Sequence, residues 1–455
     1  MAFLDDNYLL TGDTAARLYA ACADLPIIDP HNHADVEEIW RNTNYTDIWE
    51  VEAATDHYVW ELLRKRGVPE RLVTGDATNQ EKWLAMAEVF PDLAGNPTYE
   101  WIHLDLKRRF GITELLSAET GQSIWDETQK QLQTDRMRPQ QLLDDMNVEH
   151  ICSTDDPADS LDFHRKLADS PVAGRVHPTF RPDKAMNIFK PDWRDYVDKL
   201  ADCVGTSIAS VADLVDALQE RHDYFGENGC VASDHGVEVP YAFQVDEAEA
   251  DRVFRKAYKG DSLSEEEIIS YMSYLLNETA EMDAQKGWIF QLHLGCVRDI
   301  RHILAQNLGP DSGGDISDHM IDIVAPFTPL LNRFDGRLKT VIYTLDPNQQ
   351  TTVATICRCF GENVSLGAAW WYNDSPIGMR RQLEYIGSVD VLRNFAGMVS
   401  DSRKLLSYGS RNEMFRRTLC DVVGSMVDNG QIPLAITEDL VQYLSYARPK
   451  ELFRL

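Results

Sequence analysis

Eight short apolar runs, most of them ending in polar or charged residues, constrain this chain more than any other feature. They fall at residues 25–33, 148–154, 174–181, 229–235, 287–293, 339–345, 363–370 and 395–401. Between most of them lie stretches with helical spacing, such as 211–219 and 380–386. Strands that alternate with helices build a parallel sheet, because parallel neighbours need a long crossover. Eight such units predict an α/β protein with a (β/α)8 architecture, the TIM barrel. In that architecture the C-terminal strand ends carry the chemistry.

One gap breaks the rhythm. The first and second runs lie roughly 115 residues apart, where a strand–helix–strand unit needs about 30. Segment 35–147 is rich in Trp, Leu and charge at helical spacing, and is expected to be a helical insertion over the barrel mouth. Within it, Asp56 can cap a helix that Gly67 ends, with Pro69 following. A smaller helical insertion is expected at about 236–286, where Ser264-Glu-Glu-Glu267 forms a capping box. The domain plan is therefore 1–34 (N-terminal segment and strand one), 35–147 (insertion) and 148–455 (the rest of the barrel). Residues 309–318 read as a loop.

Charge narrows the partners. The 74 acidic and 44 basic residues leave a net charge of −30, which argues against nucleic acid. A small acidic substrate would need local arginines against that field. No apolar run is long enough to span a membrane, and Met-Ala-Phe-Leu-Asp-Asp lacks a signal-peptide pattern. The eight cysteines form no CxxC pair, so free thiols in a reducing compartment are expected. These features together predict a cytoplasmic protein.

The candidate site lies at the run ends. The first run leads into His31-x-His33, and residues two apart on a strand share a side. Both imidazoles can then reach one metal, with Asp29 on the same side by the same period. The bland alternative is a pair of surface histidines in a turn. Ser400-Asp401-Ser402-Arg403 ends the eighth run, where Asp401 can join the histidines as a ligand or act as a base. Read alone, Asp401 would be an ordinary helix cap. His293 ends the fifth run, as a third nitrogen ligand, a substrate contact or a buried core histidine. Asp234-His235 ends the fourth run, with a site role and a structural role evenly balanced. Arg181, Arg298 and Arg403 lie at or near run ends; each alone is an ordinary surface ion pair, but three suggest an anionic substrate. His57 and Tyr58 open the inserted helix, and a tuned Tyr58 can transfer a proton. Trp370 and Trp371 could form an apolar wall or stack on a sugar ring, against a core-packing role for one of them.

Taken together these residues resemble the uronate isomerase (glucuronate isomerase) family of the amidohydrolase superfamily. The resemblance runs along nearly the whole chain. It rests on Ile28-Asp-Pro-His-Asn-His33, Asp56-His-Tyr58, Arg181-Pro-Asp-Lys184, Ala232-Ser-Asp-His-Gly236 and Gln291-Leu-His-Leu-Gly295. It continues through Gly309-Pro-Asp311, Trp370-Trp-Tyr-Asn-Asp374 and Ser400-Asp-Ser-Arg403. It implies a distorted barrel with one divalent metal, held by His31, His33 and Asp401. It further implies isomerisation of D-glucuronate to D-fructuronate and of D-galacturonate to D-tagaturonate. Tyr58, Arg181 and Arg403 would then be the substrate and proton-transfer groups, with His57 beside them.

The chain departs from the family pattern at Thr55, Val59 and Phe180, and in Ser375-Pro-Ile377. These positions flank the motifs and bear on substrate preference more than on chemistry. Binuclear hydrolases of the superfamily use a Lys on strand four and a His on strand six. Here those runs end Ser-Asp-His and Thr344-Leu-Asp-Pro, so a single metal is expected. Zinc is the first expectation, with manganese or iron also suited to mixed nitrogen and oxygen ligands. The rival readings are a lactonase-like metal-dependent hydrolase and a non-catalytic binding protein on the same barrel. The expected partner is a small hexuronate, and a homo-oligomer is expected on general grounds.

Overall fold

The computed structural model describes residues 3–455. Its strands are β1 (Ile27–Asp29), β2 (Val148–Cys152), β3 (Val176–His177), β4 (Ala232–Val237), β5 (Ile289–Leu294), β6 (Cys296–Val297), β7 (Ile316–Ser317), β8 (Lys339–Thr344) and β9 (Val364–Leu366). Two parallel sheets result, one ordered β1-β2-β3 and one ordered β4-β5-β8-β9. Phe180 joins them, bridging in parallel to Asp155 on one side and Ser233 on the other. The fold class is thus α/β with parallel sheets, and seven of the eight apolar runs contain these strands.

The eighth run differs from expectation. Residues 395–401 form no strand, because Gly397 (φ +103°) and Asp401 (φ +50°) leave the extended region. The segment still bonds to both flanking runs: Ala396 N–H donates to Leu366 O (3.0 Å) and Asp401 N–H to His31 O (3.1 Å). Asp29 adds side-chain bonds, accepting from Ser400 N–H (2.9 Å) and Ser400 Oγ–H. Strand β6 pairs with β7 in an antiparallel ribbon that the apolar-run pattern missed, since each strand is only two residues long.

Between β1 and β2 every regular element is a helix, joined by loops, and there is no strand. Its helices build a second apolar cluster around Trp49, Trp83, Phe90, Ile102 and Leu106, distinct from the main core under the sheets. Asp56 caps the helix His57–Lys65 by accepting from Tyr58 N–H at 2.9 Å, and Gly67 follows at φ +79°. The capping box at Ser264 and Glu267 opens the helix Glu265–Lys286, which Gly287 terminates at φ +69°. None of the described helices is long and apolar enough to cross a membrane.

Candidate active site

Strand parity decides which side chains reach the centre. In the register of β4, β5 and β8, Gly236 lies beside His293 and Tyr343, while Asp234 lies beside Gln291 and Val341. Residues two apart share a face, so Asp234, Gln291, His293 and Tyr343 all face inward. His235 lies at the opposite parity. Its ring packs on Phe290, and its Nε2 shares a hydrogen bond with Ser233 Oγ (3.1 Å). Adjacent residues of one strand cannot both face in, so His235 is a core histidine and not a substrate contact. Burial, its largest influence, lowers it to about 4 and keeps it neutral.

The His-x-His pair works differently from the pattern that suggested it. β1 ends at Asp29, and Pro30, which has no N–H to donate, breaks the ladder before either histidine. Asp29 is correspondingly not at the cavity; its carboxylate is tied to Ser400. His31 and His33 nevertheless converge, with both Nε2 atoms 3.2 Å from Asp401 Oδ1. Ligands about 2.0–2.2 Å from a tetrahedral ion stand about 3.3–3.5 Å apart, so this spacing fits a bound cation. His31, His33 and Asp401 form one of two groups able to hold a metal among the described residues. His31 Nδ1 is 3.5 Å from Asp234 Oδ2, which suits a tautomer that leaves Nε2 free as the ligand. Burial, its largest influence, lowers His33 and favours the neutral ring a metal needs.

His293 stands apart from that group and forms the second one, with His31 and Asp234. Its Nδ1 is 2.6 Å from Asp234 Oδ1, and its ring stacks on Tyr343 at 4.2 Å. Its buried Nε2 has no hydrogen-bond partner and the residue lines the cavity. Burial opposes charge on Asp234, but Arg181, His293 and His31 outweigh it and hold the carboxyl well below its usual range.

Asp401 is the hub. Its Oδ1 faces the two histidines, while its Oδ2 accepts from Trp370 Nε1–H (2.9 Å) and Tyr58 O–H (3.3 Å). Burial disfavours its charge, yet His31 and His33 keep it ionised well below the ordinary range. A non-glycine residue at φ +50° is costly, on the order of 1–3 kcal/mol, and such strain tends to collect at functional sites. Tyr58 is pushed well above its usual value, first by burial and then by Asp401, so it stays protonated and donates. His57 stacks on Tyr58 at 4.7 Å, with its Nδ1 3.1 Å from Glu61.

The arginines divide into two kinds. Arg181 is committed: Nε donates to Asp183 (2.7 Å) and Nη1 to Asp234 (3.0 Å). Gly236 leaves room for it, since a Cβ there would collide with Nη2. Arg298 and Arg403 also line the cavity, 2.8 and 3.4 Å from Asp311. Arg298 also lies over Trp371, 5.2 Å from the ring centre. Trp370, Trp371, His31, His33, Arg181 and Asp401 all line one cavity of about 930 Å³.

A model of the glucuronate isomerase family matches residues 1–453. The chain belongs to the glucuronate isomerase family. It is an isomerase, and its relatives share its full length. The uronate isomerase of Thermotoga maritima is 51% identical over 451 residues, covering 99% of each chain. That of Oceanobacillus iheyensis is 39% identical, covering 98% of this chain and 96% of its own. The crystal structure of the Thermotoga maritima uronate isomerase superposes with a TM-score of 0.98 at 50% identity, covering all of both chains. That of glucuronate isomerase from Caulobacter crescentus superposes at 0.94 and 29% identity, covering 100% of this chain and 97% of that one.

For this family member the site holds residues that sequence patterns passed over. Arg411, near the start of the helix Ser407–Asp428, donates to Asp374 Oδ2 (2.8 Å) and Ser400 O (2.7 Å). Its guanidinium lies over the rings of Trp101 (4.0 Å) and Tyr58 (5.2 Å). It therefore braces both the Asp401 segment and the Tyr58 helix. A single arginine in a helix carries no sequence signal for that. Asp155 also lines the cavity, and burial raises its carboxyl to about 7. It follows β2, and a run-end rule extended by one residue beyond Thr154 would have found it.

Proposed function

We propose that the enzyme interconverts D-glucuronate with D-fructuronate and D-galacturonate with D-tagaturonate. One observation carries the mechanism: the two oxygens of Asp401 face different partners, the histidine pair on one side and the Tyr58 hydroxyl on the other. The reading adopts the fold as a distorted (β/α)8 barrel, with residues 395–401 standing in for strand eight. The bonds from Ala396 to Leu366 and from Asp401 to His31 support that closure. Residues 35–147 are the insertion over its mouth, consistent with their separate apolar cluster. Free thiols at all eight cysteines suit a cytoplasmic enzyme, and a homo-oligomer remains part of the reading.

His31, His33 and Asp401 would hold one divalent ion, with zinc as first choice. When bound, that ion supplies Lewis-acid polarisation of substrate oxygen. Asp401 takes the C2 proton of the open-chain aldose, and the electron pair forms the C1–C2 double bond of an enediol. Tyr58 donates to O1 as its charge develops and recovers the proton from the O2 hydroxyl. Asp401 then returns a proton to C1. The net result moves hydrogen from C2 to C1 and the carbonyl from C1 to C2. Arg298 and Arg403 grip the substrate carboxylate, because Arg181 already serves Asp183 and Asp234. Arg181 instead keeps Asp234 ionised, and Asp234 orients His31 and His293. Trp370 and Trp371 wall the sugar.

Proton NMR of D-glucuronate with the protein in deuterated water tests this reading. Ketouronate signals carrying deuterium at C1 are expected. No turnover of glucuronate or galacturonate by metal-replete protein would overturn it and restore the hydrolase alternative.

A further inference from the structure

Asp311 presents a carboxylate to both arginines assigned above to the substrate. Its Oδ1 is 2.8 Å from Arg298 Nη1 and its Oδ2 is 3.4 Å from Arg403 Nη2. The residue stands at φ +55° in the segment 309–315, at the rim of the cavity. Each arginine therefore meets one oxygen of a single carboxylate, the arrangement an external carboxylate would also adopt.

We infer that Asp311 is an internal stand-in for the substrate carboxylate: it holds Arg298 and Arg403 in the free enzyme and yields them when a uronate binds. The inference rests on the uronate reading and on the assignment of those two arginines. Three features make the exchange physically feasible. First, the contact is cheap to break, because the side chains of Asp311, Arg298 and Arg403 are 44%, 36% and 29% exposed. Ion pairs this open to water contribute little.

Second, Arg298 does not depend on Asp311. Its Nη1 also donates to the buried Asp315 carboxylate at 2.9 Å, which keeps the guanidinium in place after Asp311 leaves. Third, the segment has hinges and an anchor. Gly309 (φ +84°) and Gly313 (φ +90°) flank Asp311 in conformations that other residues rarely adopt. Ser312 O accepts from Arg64, on the same helix as His57 and Tyr58. Tyr372 O–H donates to Asp315 O at 2.8 Å. These two bonds hold the strap on the C-terminal side of Asp311, and Gly309 N–H donating to Ala305 O (3.0 Å) holds its start, while the Asp311 carboxylate faces the arginines. Burial opposes charge on Asp311, but Arg298 and Arg403 outweigh it and hold the carboxyl below its usual range.

The consequence is selectivity. A ligand without a carboxylate cannot displace Asp311 at equal gain, so the strap screens neutral sugars from the arginines. Removing the internal carboxylate should tighten carboxylate ligands and leave neutral ones unchanged. The test compares wild type with Asp311→Asn, Asp311→Ala and Asp311→Glu by calorimetry, using glucarate as a non-isomerisable dicarboxylate probe and galactitol as the neutral control. Turnover of glucuronate is measured alongside.

Asp311→Asn and Asp311→Ala are expected to bind glucarate about two- to tenfold more tightly, the reach of one or two half-exposed ion pairs. Asp311→Glu, which keeps the charge, should stay near wild type, and galactitol should not change. Unchanged or weaker glucarate binding in folded, active Asn and Ala variants would overturn the inference. Equal tightening of galactitol would also overturn it, by showing a steric lid rather than a charge exchange. A wild type that neither binds glucarate nor turns over glucuronate would remove the uronate reading itself, and this inference with it.

Discussion

Two atoms of one side chain organise the centre. Asp401 serves the histidines through Oδ1 and meets Tyr58 and Trp370 through Oδ2. Asp401→Asn keeps the shape but removes the charge and most of the basicity. Its kcat should fall by at least about a thousandfold with the fold intact, near the upper range of a lost general base. Near-normal kcat would take Asp401 out of the base role. Tyr58→Phe keeps the ring beneath Arg411 and beside His57 while deleting only the hydroxyl. A loss of about 10²–10⁴ in kcat with little change in KM is expected. A matched rise in KM would instead assign Tyr58 to binding.

Among the elements, the inserted helices show how burial is tuned away from the site. His103 lies on the helix Pro97–Phe110, with Nδ1 2.8 Å from Tyr99 O, and its Nε2 accepts from Leu116 N–H at 3.0 Å. That acceptor role requires a neutral ring. Burial, its largest influence, accordingly lowers His103 from 6.5 to about 4. Between those values the unfolded chain binds a proton that the folded chain does not, so stability rises with pH across the window. Below about pH 4 both states are protonated and above about pH 6.5 neither is. Denaturant unfolding of wild type and His103→Gln isolates this contribution. The wild type should lose on the order of 2 kcal/mol more than the variant between pH 7 and pH 4. Parallel pH profiles for the two proteins would refute it.

On the scale of the whole molecule, the site joins distant stretches of chain. His31 and Asp401 are 370 residues apart, and Arg416 donates to the carbonyls of Ala23, Leu25 and Pro26 just before β1. A cation on His31, His33 and Asp401 would therefore clamp the beginning of the chain to its end. A ligand bound only by the folded state raises stability. Prolonged chelation should lower both turnover and Tm, and readdition of zinc or manganese should restore them together. Loss of turnover with an unchanged Tm would argue that the ion does not bridge these segments.

The sequence by itself determined the strand rhythm, the caps at Asp56 and Ser264, and the types of residue that could do chemistry. Period, capping and ligand chemistry are local properties, so they are legible in a row of letters. The long gap between the first two runs likewise announced the helical stretch that fills it. Tertiary structure alone decided facing and partnership. Asp234 and His235 are neighbours in sequence, and only the register with β5 sends the first inward and the second into the core. Asp29 matched the histidine spacing yet went to Ser400, because the strand ended at Pro30 and the backbone turned. Arg181 looked like a substrate ligand, but two nearby carboxylates hold its Nε and Nη1, whereas Arg298 and Arg403 share the partly exposed Asp311 and Arg298 has the buried Asp315 besides. Burial and through-space charge depend on which segments pack together, and no one-dimensional pattern carries that information.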